Sequence, residues 1–528
     1  MPLTVRSHRF RGVVIAATVA ALALSACGGS GGSTTSANDT GAPDATSAVD
    51  TLKIANGVAI DTLDPAENSA NESIWIDQNL YARLVRTDAK GTEIIPDLAT
   101  SWDISKDGLT YTFHLQAAKF SDGSPITSKD VVWSFNRARA VEDGWGFLVT
   151  PVTGVTAPDD ETVVFTLKQP HAPMLADLAM YAFSVLPEAK VDADAEFFEH
   201  PITSGAFSVT GYDPNSLVTL TANPNYFGTK PKISKVEISV VTNDNTRVLQ
   251  LQSKQVDVIE NPPGNLLKQI SANKDLRVGL FPSTRVDFMI LPVKTKPLDK
   301  VEVRQAIKLA LDLDEMNKLA YQGNAVPATT FFPYKSLYWD TEAKATTPDL
   351  DKAKDLLTTA GYPDGFSINL IAVSGDAAGG AQAVVIKDQL AKIGITVTID
   401  SSDQSTAYAK ERTGTNGMGM RYWTNDIIDP DEVATFGADS TGGANVFSSY
   451  WSDPATNALV QKARSETDAD QRAKDYATVQ QNISEQAPYI PLAYAPFRYA
   501  TGAWVKGFAV SPLGSYLDSL LTLTVGEH

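Results

Sequence analysis

Cysteine occurs once and histidine five times in 528 residues. A single cysteine excludes an internal disulfide, so the fold must hold by packing alone. His8, His114, His171, His200 and His528 are not spaced as metal-binding pairs. No dedicated transition-metal site is expected, and no cofactor. With so few histidines and no spare thiol, the sequence offers a hydrolase no nucleophile–base pair. Beyond the N-terminal segment no apolar run reaches membrane-spanning length. Positive charge is short too, with 44 Lys and Arg against 62 Asp and Glu, a formal net charge of −18. That balance argues against nucleic acid or an anionic membrane surface as a partner.

What is present begins with an export signal. Arg6, Arg9 and Arg11 form a basic start, and residues 13–24 form an apolar run of signal-peptide length. Leu24-Ser25-Ala26-Cys27 follows, and it resembles the lipobox of bacterial lipoproteins. The resemblance implies a signal peptide over 1–26, cleavage before Cys27 and diacylglycerol on its sulfur. The chain would then sit on the outer face of the bacterial cytoplasmic membrane, held by lipid alone. The plainer reading is a structural cysteine beside an ordinary signal peptide. Residues 27–50 are small and polar and read as a flexible tether. Losing the three arginines of the signal takes the charge from −18 to about −21. A 43% hydrophobic content leaves enough apolar surface for two or three compact units.

The remaining chain reads as mixed α/β. Alternation predicts strands at 52–60, 110–115, 161–167, 218–220, 235–241 and 256–259, and an extended run at 286–291. Helical spacing marks 73–85, 301–320 and 349–360, with further helices at 454–464 and 470–486. Thr127 or Ser128 can cap a helix running to Arg139. A strand at 366–373, a helix at 381–393 and a strand at 395–399 form a βαβ unit with parallel pairing. Short terminal strands are expected at 489–494 and 520–525. No internal repeat is found.

Residues 418–430, M-G-M-R-Y-W-T-N-D-I-I-D-P, stand apart. Arg421, Tyr422 and Trp423 run into a turn bearing Asp426 and Asp429. Such a turn can hold a carboxylate at the mouth of a cleft beside flat apolar faces. That suits a ligand with a cationic end, because a buried ammonium needs a paired anion. The plain alternative is that both aspartates cap the turn or a following helix.

Several stretches together resemble the family 5 extracellular solute-binding proteins, the peptide-binding components of ABC importers. These are Asp61-Thr62-Leu63-Asp64-Pro65, Ile95-Pro96-Asp97-Leu98-Ala99 with Trp102, and the block from Asp107-Gly108 to Leu115. Phe120–Pro125, Asp130–Arg137 and Thr203-Ser204-Gly205-Ala206-Phe207 continue the pattern. So do Val303-Arg304-Gln305-Ala306-Ile307 and Trp423, Asp426, Asp429 and Pro430. The resemblance implies a two-lobed, type II clamshell with an additional third domain and discontinuous domains. Lobe I would take 51–92, 200–288 and 499–528, the additional domain II 93–199, and lobe III 289–498. The hinge would lie at the strand crossings near 285–292 and 496–501.

The resemblance also implies a function and a site. A small solute, a di- or oligopeptide, would be captured between the lobes and delivered to the permease and ATPase subunits of the importer. The chain would act as a monomer and not as an enzyme. Asp426 falls where peptide binders hold the ligand α-ammonium. Tyr422, Trp423 and Thr424 fall on one ligand-facing segment, with Ser69, Ala70 and Asn71 on the facing one. Tight oligopeptide binders carry an arginine three residues before the tryptophan, where this chain has Met420. Arg421 would point to the other strand face, and Arg412 lies upstream as another carboxylate partner or as a solvated surface charge. An oligosaccharide, a metal chelate or haem is the alternative cargo. Asp159-Asp160-Glu161, the Gly375–Gly380 run and Ser271–Lys274 read as turns or chance matches, without the partners that calcium, phosphate or acyl-transfer sites need. Replacing Cys27 by Ser is expected to move the protein from the membrane pellet to the soluble fraction, checked by fractionation with an acylation label.

Overall fold

Two β-sheets joined by two short crossings carry the architecture. The structure, a computed structural model, describes residues 50–68, 70–142, 144–441 and 447–527. The signal peptide, Cys27, nearly all of the tether, and Ser69 lie outside the described residues. The first sheet has seven strands in the order Phe207–Asp213, Leu217–Ala222, Lys235–Val240, Thr51–Asn56, Val258–Glu260, Phe497–Gly502 and Leu276–Phe281. The second has six, Val326–Pro327, Tyr489–Tyr494, Val286–Ile290, Met418–Trp423, Phe366–Val373 and Ile395–Ser402. A four-stranded sheet orders Ala99–Ile104, Thr110–Leu115, Thr162–Leu167 and Val152–Asp159.

Alternation explains the four-stranded sheet. Tyr111, Phe113 and Leu115 are buried on one strand, with Thr112 and His114 between them, and Val163, Phe165 and Leu167 are buried on its neighbour, with Val164 and Thr166 between them. Val286–Ile290 is buried at every position, as a central strand covered on both faces must be. Met289 packs with Met418, Met420, Val303, Ile307 and Ile386 on one face of the six-stranded sheet. Phe288 and Ile290 join a separate cluster with Phe331, Phe447 and Tyr489. Strand Phe366–Val373, helix Ala377–Ala391 and strand Ile395–Ser402 form the expected parallel βαβ unit.

Three expectations are corrected. The helix expected over 301–320 is two, Val301–Ala310 and Leu313–Ala320. Asp312 breaks it, because its carboxylate accepts the Glu315 N–H at 2.9 Å and caps the second helix. Gln389 holds the break by accepting the Asp312 N–H at 2.9 Å and donating to its carbonyl at 3.3 Å. The strand expected at 520–525 begins as the end of a helix, Leu517–Thr522, and only Thr524–Val525 is strand. The sheet crossings lie at 282–285 and 495–496, not 285–292 and 496–501. Pro282 and Pro496 stand there, each lacking the N–H that would continue a ladder.

Many motif residues prove to be staples. Arg137 forms an ion pair with Asp64, its Nη1 at 2.9 Å from Oδ1. Arg304 donates to the carbonyls of Gln486 and Leu298, both at 2.8 Å. The Gly205 N–H donates to Leu80 O at 2.7 Å, and a Cβ there would meet Leu80 C at 2.6 Å, so only glycine fits. Arg472 spans Asp429 at 2.8 and 3.0 Å, with both side chains buried. Arg472→Met is expected to strand the buried Asp429 charge and cost about 3–5 kcal/mol, read by denaturant unfolding at neutral pH.

Candidate functional site

The strand Met418–Trp423 ends at the boundary between the two sheets, and its residues divide into distinct settings. Met418 and Met420 sit in the apolar cluster beneath the sheet. Arg421 donates through Nε to Glu411 and lies 4.1 Å over the Tyr408 ring, on the helix Gln404–Arg412. Arg412 is exposed at the end of that helix. Tyr422 is 38% exposed and carries the Arg285 guanidinium 3.9 Å over its ring. Trp423 makes edge contacts with Phe436 at 4.9 Å and Phe447 at 5.2 Å, and Trp145 approaches it at 6.5 Å. Thr424 Oγ1 donates to Asn71 Oδ1 at 3.2 Å. Ala70 precedes the helix Asn71–Leu80, accepting the Ser73 and Ile74 N–H groups.

The two aspartates of the turn behave oppositely. Asp429 is buried, bound to Arg472, and accepts the Asp431 N–H at 3.0 Å. Asp426 is partly exposed, and no hydrogen bond or ion pair reaches its carboxylate among the described residues. Its N–H and that of Ile427 both donate to Glu432 Oε2, at 2.9 and 3.2 Å, which fixes the turn. Glu432 is fully buried, and its Oε1 has no partner among the described residues. Desolvation raises the Asp426 carboxyl to about 7. Burial, then the Asp426 charge, pushes Glu432 well above the carboxylate range. Burial, then Asp426 and Glu432, raises the Tyr181 hydroxyl, which donates to Asn68 O at 2.9 Å. The turn is thus an electrostatic neighbour of Tyr181, which is hydrogen-bonded to the segment entering the helix Asn71–Leu80.

A narrow cleft with about 20 Å³ of free volume opens where the crossings meet. Asn71, Glu72, Asn261, Arg285, Tyr422, Thr424 and Arg498 contribute to its walls. Asn71, Tyr422 and Thr424 of the expected set therefore come together here, while Ala70, Trp423 and Asp426 do not line this cleft. Sequence reasoning missed Glu432, Glu72, Arg285 and Arg498. Glu432 closes two residues after Pro430, and Arg498 follows the crossing proline, but neither position announces a ligand by residue type.

His114 lies 3.1 Å from Asp103, and His171 is buried 2.6 Å from Asp177. No group of three His, Cys, Asp or Glu could hold a metal ion among the described residues, and no described helix is long and apolar enough to cross a membrane.

Comparison with known proteins decides the class. The family described as bacterial extracellular solute-binding proteins, family 5 Middle, matches residues 93–445. The chain belongs to family 5 of the bacterial extracellular solute-binding proteins. A dipeptide-binding protein of Escherichia coli (strain K12) is 31% identical over 471 residues, covering 83% of this chain and 88% of that one. The structure of the Helicobacter pylori periplasmic binding protein DppA with peptide STSA superposes with a TM-score of 0.82. It is 30% identical and covers 90% of this chain and 98% of that one. Heme-binding protein A of Haemophilus influenzae is 28% identical over 474 residues, 83% of this chain and 85% of that one. This family 5 protein is accordingly the extracytoplasmic solute-binding component of an ABC importer, with the type II two-lobed fold, and not an enzyme.

The raised carboxyls predict an inverse pH dependence. In the folded chain Asp426, Glu432, Glu72 and Glu260 keep protons that the unfolded chain releases near pH 4. The folded state then binds more protons, and stability present at low pH is lost as pH rises towards about 7 and beyond. The melting temperature of the ligand-free protein is expected to fall between pH 5 and pH 8, and Asp426→Asn to flatten part of that fall, measured by calorimetry.

Proposed function

We propose that this family 5 protein captures a di- or oligopeptide with a free α-amine, using Asp426 as the ammonium partner. The observation that carries the reading is the Asp426 carboxylate, desolvated and without a protein cation among the described residues. Leaving a carboxylate so costs stability unless a ligand supplies the charge. Most of the other acidic groups of this turn and its helix are paired, Asp429 with Arg472 and Asp431 with Arg464. The relatives named for dipeptides and the neighbour holding a peptide support the same solute class.

In this reading Tyr422, Trp423 and Thr424 from one lobe and Ser69, Ala70 and Asn71 from the other flank the extended peptide, whose backbone is bound by strand addition. Arg421 serves the scaffold through Glu411, and Arg412 remains a surface charge. The partition is lobe I at 51–92, 200–288 and 499–528, domain II at 93–199 and lobe III at 289–498. The seven-stranded sheet, assembled from residues near 51–56, 207–281 and 497–502, supports it. The protein would be a monomer, lipid-anchored through Cys27 on the outer face of the cytoplasmic membrane.

A thermal-shift screen tests the function. Free di- to hexapeptides are expected to raise the melting temperature by mass action, while N-acetylated peptides and the Asp426→Asn variant are not. Shifts with haem, metal chelates or oligosaccharides but not with peptides would overturn the peptide reading. Pairing with an ammonium requires Asp426 to be ionised, so affinity for free peptides should rise from pH 6 to pH 8, through about 7, and lose that dependence in Asp426→Asn. Titration calorimetry at the two pH values reads this.

A further inference from the structure

A tyrosine outside the cleft wall joins both segments assigned to the solute. Tyr181 begins the turn Tyr181–Phe183, within residues 93–199, and is 1% exposed. Its hydroxyl donates to the Asn68 carbonyl at 2.9 Å. Asn68 is buried too, and two more bonds hold it. Its Nδ2 donates to Asp77 Oδ2 at 2.9 Å, and its Oδ1 accepts the Ala70 N–H at 3.1 Å. These bonds matter because the helix Asn71–Leu80 lacks an ordinary cap. Ala70 stands at its N-cap with no side-chain oxygen to accept the free N–H groups of the first turn. The direction of the entering chain therefore depends on Asn68. A peptide group is planar, so a bond on the Asn68 carbonyl fixes the plane that leads into the solute-facing residues.

The same tyrosine reaches the other segment through its ring. Trp145 meets it edge-on with ring centroids 6.2 Å apart, and lies 6.5 Å from Trp423 and 5.9 Å from Phe436. Asn68, Tyr181, Trp145 and Trp423 thus form a continuous row, while the two segments themselves touch at the Thr424–Asn71 bond. The turn that carries Tyr181 is well seated. The Ser184 N–H and hydroxyl donate to Tyr181 O at 3.1 and 2.6 Å, and the Val185 N–H donates to Ala82 O at 2.8 Å. Resting on the peptide reading above, we infer that Tyr181 is a positioning residue of the solute site. Its hydroxyl sets the segment 68–71, and its ring, through Trp145, sets the spacing of that segment from the strand Met418–Trp423. The additional domain proposed at 93–199 then has a task in capture. It holds both solute-facing segments ready for an extended peptide, so that the solute does not have to order them.

The test uses the purified full-length protein and the free di- to hexapeptide that raises its melting temperature most. Titration calorimetry at pH 6 and pH 8 reads affinity, and amide hydrogen exchange reads the ligand-free segment. Tyr181→Phe keeps the ring and removes the hydroxyl. It is expected to weaken the peptide at least about fivefold, by the same factor at both pH values, and to speed exchange of the Ala70, Ser73 and Ile74 N–H groups. Tyr81→Phe is the control, because the Tyr81 hydroxyl makes a similar buried bond, to Leu63 O at 2.9 Å, upstream of the segment. It should lower the melting temperature and leave affinity and exchange unchanged. Trp145→Phe should weaken the peptide about threefold, and it serves if Tyr181→Phe does not fold. Wild-type affinity or wild-type exchange in Tyr181→Phe overturns the inference. So does an equal loss of affinity in Tyr81→Phe, which marks a general loss of packing, or a loss at only one pH, which marks an effect on Asp426. Each of these results leaves the peptide reading standing. A wild type that binds no peptide at all overturns both.

Discussion

The molecule depends on one topological constraint: the chain passes between its two main sheets at only two places, and those places are side by side. Strand Leu276–Phe281 leads into Val286–Ile290, and Tyr489–Tyr494 leads back into Phe497–Gly502. Both passages are too short to hold anything but a change of direction. Hydrogen bonds tie them down locally, from Ser283 Oγ to Ala495 O and from Thr284 Oγ1 to Asn425 O at 3.0 Å. Whatever binds between the sheets must therefore be met by residues at strand ends, which is where Thr424, Asp426, Arg285 and Arg498 stand.

Around that boundary the treatment of charge changes. Several buried ions are matched: Asp64 with Arg137, Arg421 with Glu411, Asp429 with Arg472, Asp431 with Arg464. Such pairing offsets desolvation without adding much stability. Near the crossings Asp426 has no ion pair among the described residues, and Glu72 and Glu260 are raised first by burial, with Glu260 raised further by the Glu72 charge.

The scaffold was more legible than the site. Alternation in Thr110–Leu115 and the βαβ spacing of 366–402 identify strands because burial repeats every second residue. The break at Asp312 escaped because periodicity continues through it, and only the cap and its Gln389 clamp reveal two helices. In the site, the motif marks Asp426 and Asp429 equally. Their separation depends on Arg472, over forty residues away in sequence, and no local pattern carries that. Glu432 was hidden for a similar reason, since its role lies in two backbone N–H groups and not in its own neighbours. Arg498 has no motif at all, and only the fold brings it to the crossing.

The bond from Thr424 to Asn71 joins the end of the strand Met418–Trp423 to the start of the helix Asn71–Leu80 through neutral groups. A hydrogen bond of that kind contributes about 1 kcal/mol net, a factor of about five in an equilibrium between open and shut forms. Such a latch biases the ensemble without locking it. A solute that touches both sides of the bond adds its own contacts to that bias. Occupancy and shape are then one variable, so that a membrane partner contacting both lobes at once can distinguish a loaded carrier from an idle one without touching the cargo.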